Sequence, residues 1–118
     1  MFAHKFSIPR NEFRRIKEGG RLFQSDNFGV LVKEREKLGN PRFGVIISNK
    51  VSKLSTHRNR IRRAFRDTVR RNWKKVRGEI DMVFLVKPSV EKVSVSILMK
   101  EIERFIDSKA YEKKPPKS

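Results

Sequence analysis

Apolar residues recur along this chain with two periods, and the change of period marks its elements. Within the stretch from Lys50 to Arg77, Ile61, Ala64, Phe65, Thr68, Val69 and Trp73 return at helical spacing, predicting one buried face of a long amphipathic helix that Gly78 stops. Val95, Leu98, Met99, Ile102, Phe105 and Ile106 form the same kind of stripe in a last helix starting near Ser94. A shorter stripe, Phe13 and Ile16, predicts a first helix over about Ile8–Glu18. Ser7 is its expected N-cap, Pro9 lies in its first turn, and Gly19-Gly20 ends it. Phe28–Lys33 (FGVLVK) and Phe43–Ser48 (FGVIIS) are rich in β-branched and aromatic residues and read as strands. Between them Glu34–Arg42 is charged and contains Gly39-Asn40-Pro41, so a hairpin joining these two strands is expected. A short edge strand is expected around Leu22–Gln24. Ile80–Val86 (IDMVFLV) is almost continuously apolar, as in a central strand buried on both faces, and Pro88 and Ser89 close it. The order is α-β-β-β-α-β-α: a single α+β domain with one sheet packed by helices.

No repeat or linker divides the chain. Residues 1–108 read as one domain and 109–118, charged and carrying Pro115-Pro116, as a disordered basic tail. A length of 118 residues with 36% hydrophobic content suits one modest core. The charge changes the picture more: 30 Lys and Arg stand against 13 Asp and Glu, a net charge of +17. Such self-repulsion points to a polyanionic partner, nucleic acid before an anionic membrane. The absence of cysteine excludes a disulfide scaffold, a thiolate zinc site and a thiol nucleophile, and fits the cytoplasm. Met1–Arg10 lacks the apolar run of a signal peptide, and the longest apolar runs, Val45–Ile47 and Met82–Val86, are strand-length. His4 and His57 are too few and too far apart for a metal site, and no nucleophile motif supports a catalytic triad.

The basic residues are placed as well as numerous. Between Arg58 and Arg77 there are ten of them and one acid, Asp67. On a helix, Asn59, Arg63, Arg66 and Arg70 line one face, Arg60 and Arg71 a second, and Arg62 borders the apolar stripe. A solvated charged face is the ordinary fate of such a run. Here, however, neighbours of like sign would repel at i,i+4 with almost no counter-charge. Arginine forks bind phosphate bidentately and stack on bases. Lys50 and Lys53 lie in the loop before the helix, where Ser52–Thr56 supplies three hydroxyls and the helix start supplies free N–H groups. Trp73, Phe65 and Phe105 lie on apolar stripes and read as core; Phe23 fits either core or a base-stacking role.

Ser48-Asn49-Lys50-Val51-Ser52-Lys53, followed by Arg58-Asn59-Arg60-Ile61-Arg62-Arg63 and Phe65-Arg66, resembles the signature of the bacterial ribonuclease P protein family. The likeness spans roughly residues 7–107. Phe13 matches an aromatic of the family's first helix, Phe28 opens the second strand, Arg42-Phe43-Gly44 resembles Arg-Leu-Gly, and Gly78-Glu79-Ile80-Asp81 resembles Gly-x-Asp. The resemblance implies a ribosomal protein S5 domain 2-like fold with a left-handed β-α-β crossover, where general physics favours the right hand. It implies a protein subunit without catalytic residues or a cofactor of its own. Its partner RNA, using RNA-held Mg2+, removes the 5′ leader of precursor tRNA. The implied partners are ribonuclease P RNA and precursor tRNA, not DNA or membrane. The leader is implied to lie in a cleft between the first helix, the basic helix and the sheet. Contact with the RNA subunit falls to Lys53, Arg58, Arg60, Arg62 and Arg70. Contact with the leader falls to Phe13, Phe28, Lys50, Asn59, Arg63 and Arg66. The chain departs from the family where Lys17 and Leu31 replace two aromatics, which reduces stacking on leader bases. The alternatives are a ribosomal protein or general RNA chaperone, a nuclease acting alone through Asp67, Glu79 and Asp81, and a helix-turn-helix DNA binder. The first does not account for the ordered motif. The second needs a shared carboxylate site, and the third lacks a first helix before the basic one.

Overall fold

The apolar run Ile80–Val86 forms the strand on which the sheet is built. The computed structural model describes residues 4–37, 39–48 and 50–112. In it the strands are β1 (Arg21–Gln24), β2 (Phe28–Glu34), β3 (Arg42–Ile46) and β4 (Ile80–Val86), and the helices are α1 (Phe13–Gly19), α2 (Ser55–Asn72) and α3 (Val95–Ser108). The sheet order is β1-β2-β4-β3. β4 runs antiparallel to β2, with Val32 opposite Met82, and parallel to β3, with Gly44 opposite Val83. The expected hairpin between the second and third strands is therefore corrected: β4 lies between them, and the hairpin is β1–β2. The turn residues of 34–42 specify a reversal but no partner. A strand apolar on both faces is best covered with a neighbour on each side, and β4 takes that place.

Side chains alternate between the two faces of the sheet. One face, carrying Phe28, Val30, Val32, Phe43, Ile80, Met82 and Phe84, is closed by α2 and α3. Phe28 meets Phe65 at 5.5 Å and Phe84 at 5.7 Å between ring centroids, in edge-on contacts that suit aromatic quadrupoles. On α2 the buried face is Ile61, Ala64, Phe65, Thr68, Val69 and Asn72; the two polar side chains satisfy themselves on Ala64 and Thr68 carbonyls. Trp73 is half-buried against the same core and packs at a tilt on Phe6, with 4.7 Å between ring centroids. α3 follows its expected stripe, and the Ser94 hydroxyl caps it by accepting from the Ile97 N–H at 3.2 Å.

Two boundaries differ from expectation. The first helix begins as a 3-10 turn at Arg10–Glu12, with Pro9 rather than Ser7 before it. Ser7 instead bridges to Phe43, and the Ile8 N–H donates to the Phe43 carbonyl at 3.3 Å, so the N-terminal segment covers the free edge of β3. The chain also remains ordered past Lys109. Ala110–Glu112 form a 3-10 turn, and Tyr111 is fully buried with its hydroxyl on the Ile106 carbonyl at 2.8 Å. Burial pushes its phenol up to about 12. An aromatic buried near the end holds residues that composition alone assigns to a tail; residues 113–118 of that expected tail lie outside the described residues, as does Asn49.

Candidate RNA-binding interface

The face of the sheet turned away from α2 and α3 is organised in three rows across the strands. The register places Lys33, Asp81 and Arg42 side by side; then Leu22, Leu31, Val83 and Gly44; then Gln24, Gly29, Leu85 and Ile46. α1 crosses this face, burying Ile16 against Ile8 and Val83.

The charged row anchors α1. Asp81, fully buried, accepts from Arg15 at 2.8 Å, from Arg42 at 2.8 and 2.9 Å, and from Arg35. Glu12 takes the other side of Arg42 at 2.8 and 3.0 Å, and Arg15 at 3.3 Å. The hydrogen bond from Arg42, helped by its charge and that of Arg15, outweighs desolvation and holds the Glu12 carboxyl below its ordinary value; the carboxylates in turn hold Arg42 above its own. Arg35 also reaches the carbonyls of Asn40 (2.9 Å) and Gly78. At Gly78 a Cβ would come within 1.9 Å of the Gly39 carbonyl, so glycine is required for this close approach. Among the described residues no group of three His, Asp or Glu could hold a metal ion. Asp81 is saturated by arginines, Asp67 pairs with Arg66 and Arg70, and Glu79 pairs with Arg77. These carboxylates do not converge on one site, contrary to what the nuclease alternative requires.

Beyond the anchor lies a cleft of about 790 Å³, floored by Leu31, Val83, Leu85 and Ile46 and walled by Phe13, Arg14, Lys17 and Glu18. It is apolar below and charged at its rim, a combination that suits bases and phosphates of a single strand. Its lining comes from α1 and the sheet and includes no residue of α2. Phe13 stands in its wall; the cleft implied by the resemblance also included the basic helix, which this one does not. Leu31 and Lys17, the two aliphatic or cationic replacements, are also in it. Phe28 is a correction: it is 0% exposed and points to the opposite face, into the aromatic core. Alternation along β2 decides this, because Leu31 and Phe28 are an odd number of residues apart. Phe23 likewise faces the helices, packing on Phe105 at 6.1 Å, and belongs to the core.

On α2 the arginines differ in freedom. Asn59, Arg60 and Arg63 are exposed, and among the described residues neither Arg60 nor Arg63 has an acidic partner. Arg62 donates to Asn59 at 3.3 Å, and Arg66 to Asp67 at 3.4 Å. Arg70 is exposed and lies 3.5 Å from Asp67. Arg58 is half-buried and donates to the Ser52 carbonyl at 2.7 Å, latching the preceding loop onto the helix. That loop is held by buried Val51 and by the Ser52 hydroxyl, which accepts from the Leu54 N–H, leaving Lys50 and Lys53 exposed. Motif reading missed Glu12, Arg15 and Arg35, and it placed Asp81 in the Gly-x-Asp match and in the nuclease alternative, not at the centre of an arginine anchor. The signal was a lone acid in an otherwise apolar strand, and only long-range pairing could reveal its partners.

The chain matches the Ribonuclease P family model over residues 8–110. It is similar to the ribonuclease P protein component of Fusobacterium nucleatum, with 32% identity over 96 residues, covering 81% of this chain and 85% of that one. The ribonuclease P protein component of Nitrosococcus oceani is 33% identical over 97 residues, covering 82% and 80%. Among solved structures, the ribonuclease P protein of Staphylococcus aureus superposes with a TM-score of 0.82 at 17% identity, over 92% of this chain and 98% of that one. That of Thermotoga maritima gives 0.74 at 22%, over 86% and 96%. These two share the fold.

Proposed function

The chain belongs to the bacterial ribonuclease P protein family, and on that premise we propose that it binds the catalytic RNA subunit and the 5′ leader of precursor tRNA, promoting removal of the leader while contributing no catalytic group. The observation that carries this reading is the pairing of two different surfaces on one small domain. One is a helix with exposed arginines, of which Arg60 and Arg63 have no acidic partner among the described residues; the other is an apolar cleft whose rim carries Lys17 beside the Arg14–Glu18 ion pair.

The cleft suits the leader alone, and α2 with the loop before it divides its donors between the two RNAs. Arg60, with Lys53, Arg62 and Arg70, grips phosphates of the folded RNA subunit, and displaced counterions make that grip salt-dependent. Arg58 steadies the loop that presents Lys50 and Lys53, so its contribution is partly internal. Phe13 offers a ring to a leader base, and Asn59, Arg63, Arg66 and Lys50 offer donors to the leader backbone. Phe28 supports this surface from within the core and touches no RNA. Magnesium is assigned to the RNA of the holoenzyme, and the protein's site of action to the cytoplasm. No described helix is long and apolar enough to cross a membrane.

The test is reconstitution at low magnesium. Precursor tRNA is incubated with the protein, with a bacterial ribonuclease P RNA, and with both. Cleavage with both, well above the RNA alone, is the expected result. Cleavage by the protein alone would identify a nuclease, and lack of stimulation would leave a general RNA chaperone.

A further inference from the structure

We propose that Gly44 is a positioning residue for Phe13: its missing side chain is the seat that holds the ring in the wall of the cleft. The inference rests on the reading of that cleft as the leader site.

Glycine in a strand weakens it, so its presence asks for a reason. Conformation is not the reason, since no glycine in the described chain has positive φ. Gly44 lies mid-strand in β3, opposite Val83, with ordinary parallel pairing. The reason is space. A Cβ at residue 44 would fall 2.8 Å from Phe13 Cε1, 3.0 Å from Cζ and 3.8 Å from Ile8 Cδ1. The edge of the Phe13 ring therefore occupies the volume that any other residue would fill.

The backbone of Phe13 cannot simply retreat. On one side Glu12 is bonded to Arg42, on the other Arg15 is bonded to Asp81, and Ile16 is fully buried one turn later. A methyl group at 44 is met by the far end of the ring, the softest element present, so the ring swings off the sheet. The row next to Gly44 is Leu85 and Ile46, the cleft floor, and Ile46 is still 47% exposed. A displaced ring would lose its fixed face and cover part of that floor. The Arg-anchored helix, the RNA-facing α2 and the aromatic core would remain in place.

The experiment compares Gly44→Ala, Phe13→Ala and the double variant in holoenzyme reconstituted with a bacterial ribonuclease P RNA. Affinity is measured for precursor tRNA with a leader of several nucleotides and for leaderless tRNA. Gly44→Ala is expected to weaken precursor binding about tenfold, the scale of one lost stacked base, and to leave leaderless tRNA unchanged. Added to Phe13→Ala it should cost nothing further. Equal losses for both tRNAs, or no loss, would overturn the proposal. Full additivity in the double variant would do the same. If Phe13→Ala itself shows no leader-dependent loss, the cleft reading fails, and a second measurement still judges Gly44. With 4-fluorophenylalanine at position 13 of the free protein, the 19F resonance should shift and broaden on Gly44→Ala; an unchanged resonance refutes the seat. Should Gly44→Ala melt the protein, the double variant decides: restored folding supports a ring clash, and continued melting shows that glycine serves the strand.

Discussion

The two faces of the sheet solve the same problem by opposite means. The face under α2 and α3 is closed by interlocking aromatics, Phe28, Phe65 and Phe84, all fully buried. The face under α1 is held at one end by buried charge and left open at the other. A seven-residue helix buries only Ile16, too little to fix its place by apolar contact alone. The arginines on Asp81 supply direction where the apolar stripe is short. The difference is one of division of labour: the inner side of α2 and α3 carries the fold on the closed face, while the open face can keep a cleft because its helix is pinned from one side. On the proposed reading, that cleft and the outer side of α2 are left for recognition.

The largest expected effect tests that separation on the closed face. Phe28→Ala should cost about 3–5 kcal/mol of stability, the usual range for emptying an aromatic site in a packed core, measured from urea unfolding midpoints. In the milder Phe28→Leu variant, the ratio of precursor to leaderless tRNA affinity should stay at its wild-type value. A selective loss for precursor would break the comparison by giving Phe28 a role in the leader site.

Next is the charged anchor. Asp81→Asn leaves Arg15, Arg35 and Arg42 without their common counter-charge. Losing one member of a buried pair costs about 3–5 kcal/mol. The lower end, about 3 kcal/mol, is expected here because the Arg15 side chain is 38% exposed and can turn to water. Unlike Phe28→Leu, this variant should also erode the preference for precursor, because α1 loses its alignment over the sheet. Unfolding midpoints and paired affinities together check it.

A smaller effect of opposite sign is expected in the cleft floor. Leu31→Tyr places an aromatic among Val83, Leu85 and Phe13, where the chain has an aliphatic one. A partial stack is worth less than the roughly 1–3 kcal/mol of a full one, so precursor affinity should rise a few-fold and leaderless affinity should not move. An equal rise for both tRNAs would mean that the new ring acts outside the cleft.

Much of the closed face is legible in the sequence, because its information is local. The stripes of α2 and α3 and the apolar run of β4 each predict burial from a short local stretch of chain. The basic motif, too, is contiguous, and family resemblance draws the fold and the exposed arginines from it. What was not legible is long-range. Turn residues at Gly39-Asn40-Pro41 do not say that β4 will enter between β2 and β3. Tyr111 sits in a charged segment, and only the hollow beside Ile106 and Phe105 turns it into core. Phe28 was assigned to the leader from its family position, although strand alternation already placed it on the face opposite Leu31. Asp81 reads as one polar interruption until three arginines from α1, β3 and the preceding loop converge on it. Gly44 gives no conformational cue, and its use depends on a ring thirty-one residues earlier in the chain.

The smallest expected effect is the pH dependence of the outer half of the anchor. Glu12 has its carboxyl held below 4.5 in the folded protein, first by the Arg42 hydrogen bond and then by the charges of Arg42 and Arg15. A group whose pKa is lower in the native state binds fewer protons there than in the unfolded chain. Its stabilising contribution is therefore complete above the unfolded value and fades as pH falls through the native one. Because Glu12 is near the surface, with its side chain 31% exposed, the contribution should be about 1 kcal/mol or less. Glu12→Gln keeps the shape and removes the charge. The gap in urea midpoint between wild type and Glu12→Gln should be constant from about pH 7 to pH 5 and shrink below about 4.5. Buried Asp81 is common to both proteins and cancels in the difference. A gap that stays flat down to about pH 3 would mean that Arg42 draws its stability from Asp81 alone. α1 would then be pinned by Asp81 through Arg15, with no share for the Glu12–Arg42 pair.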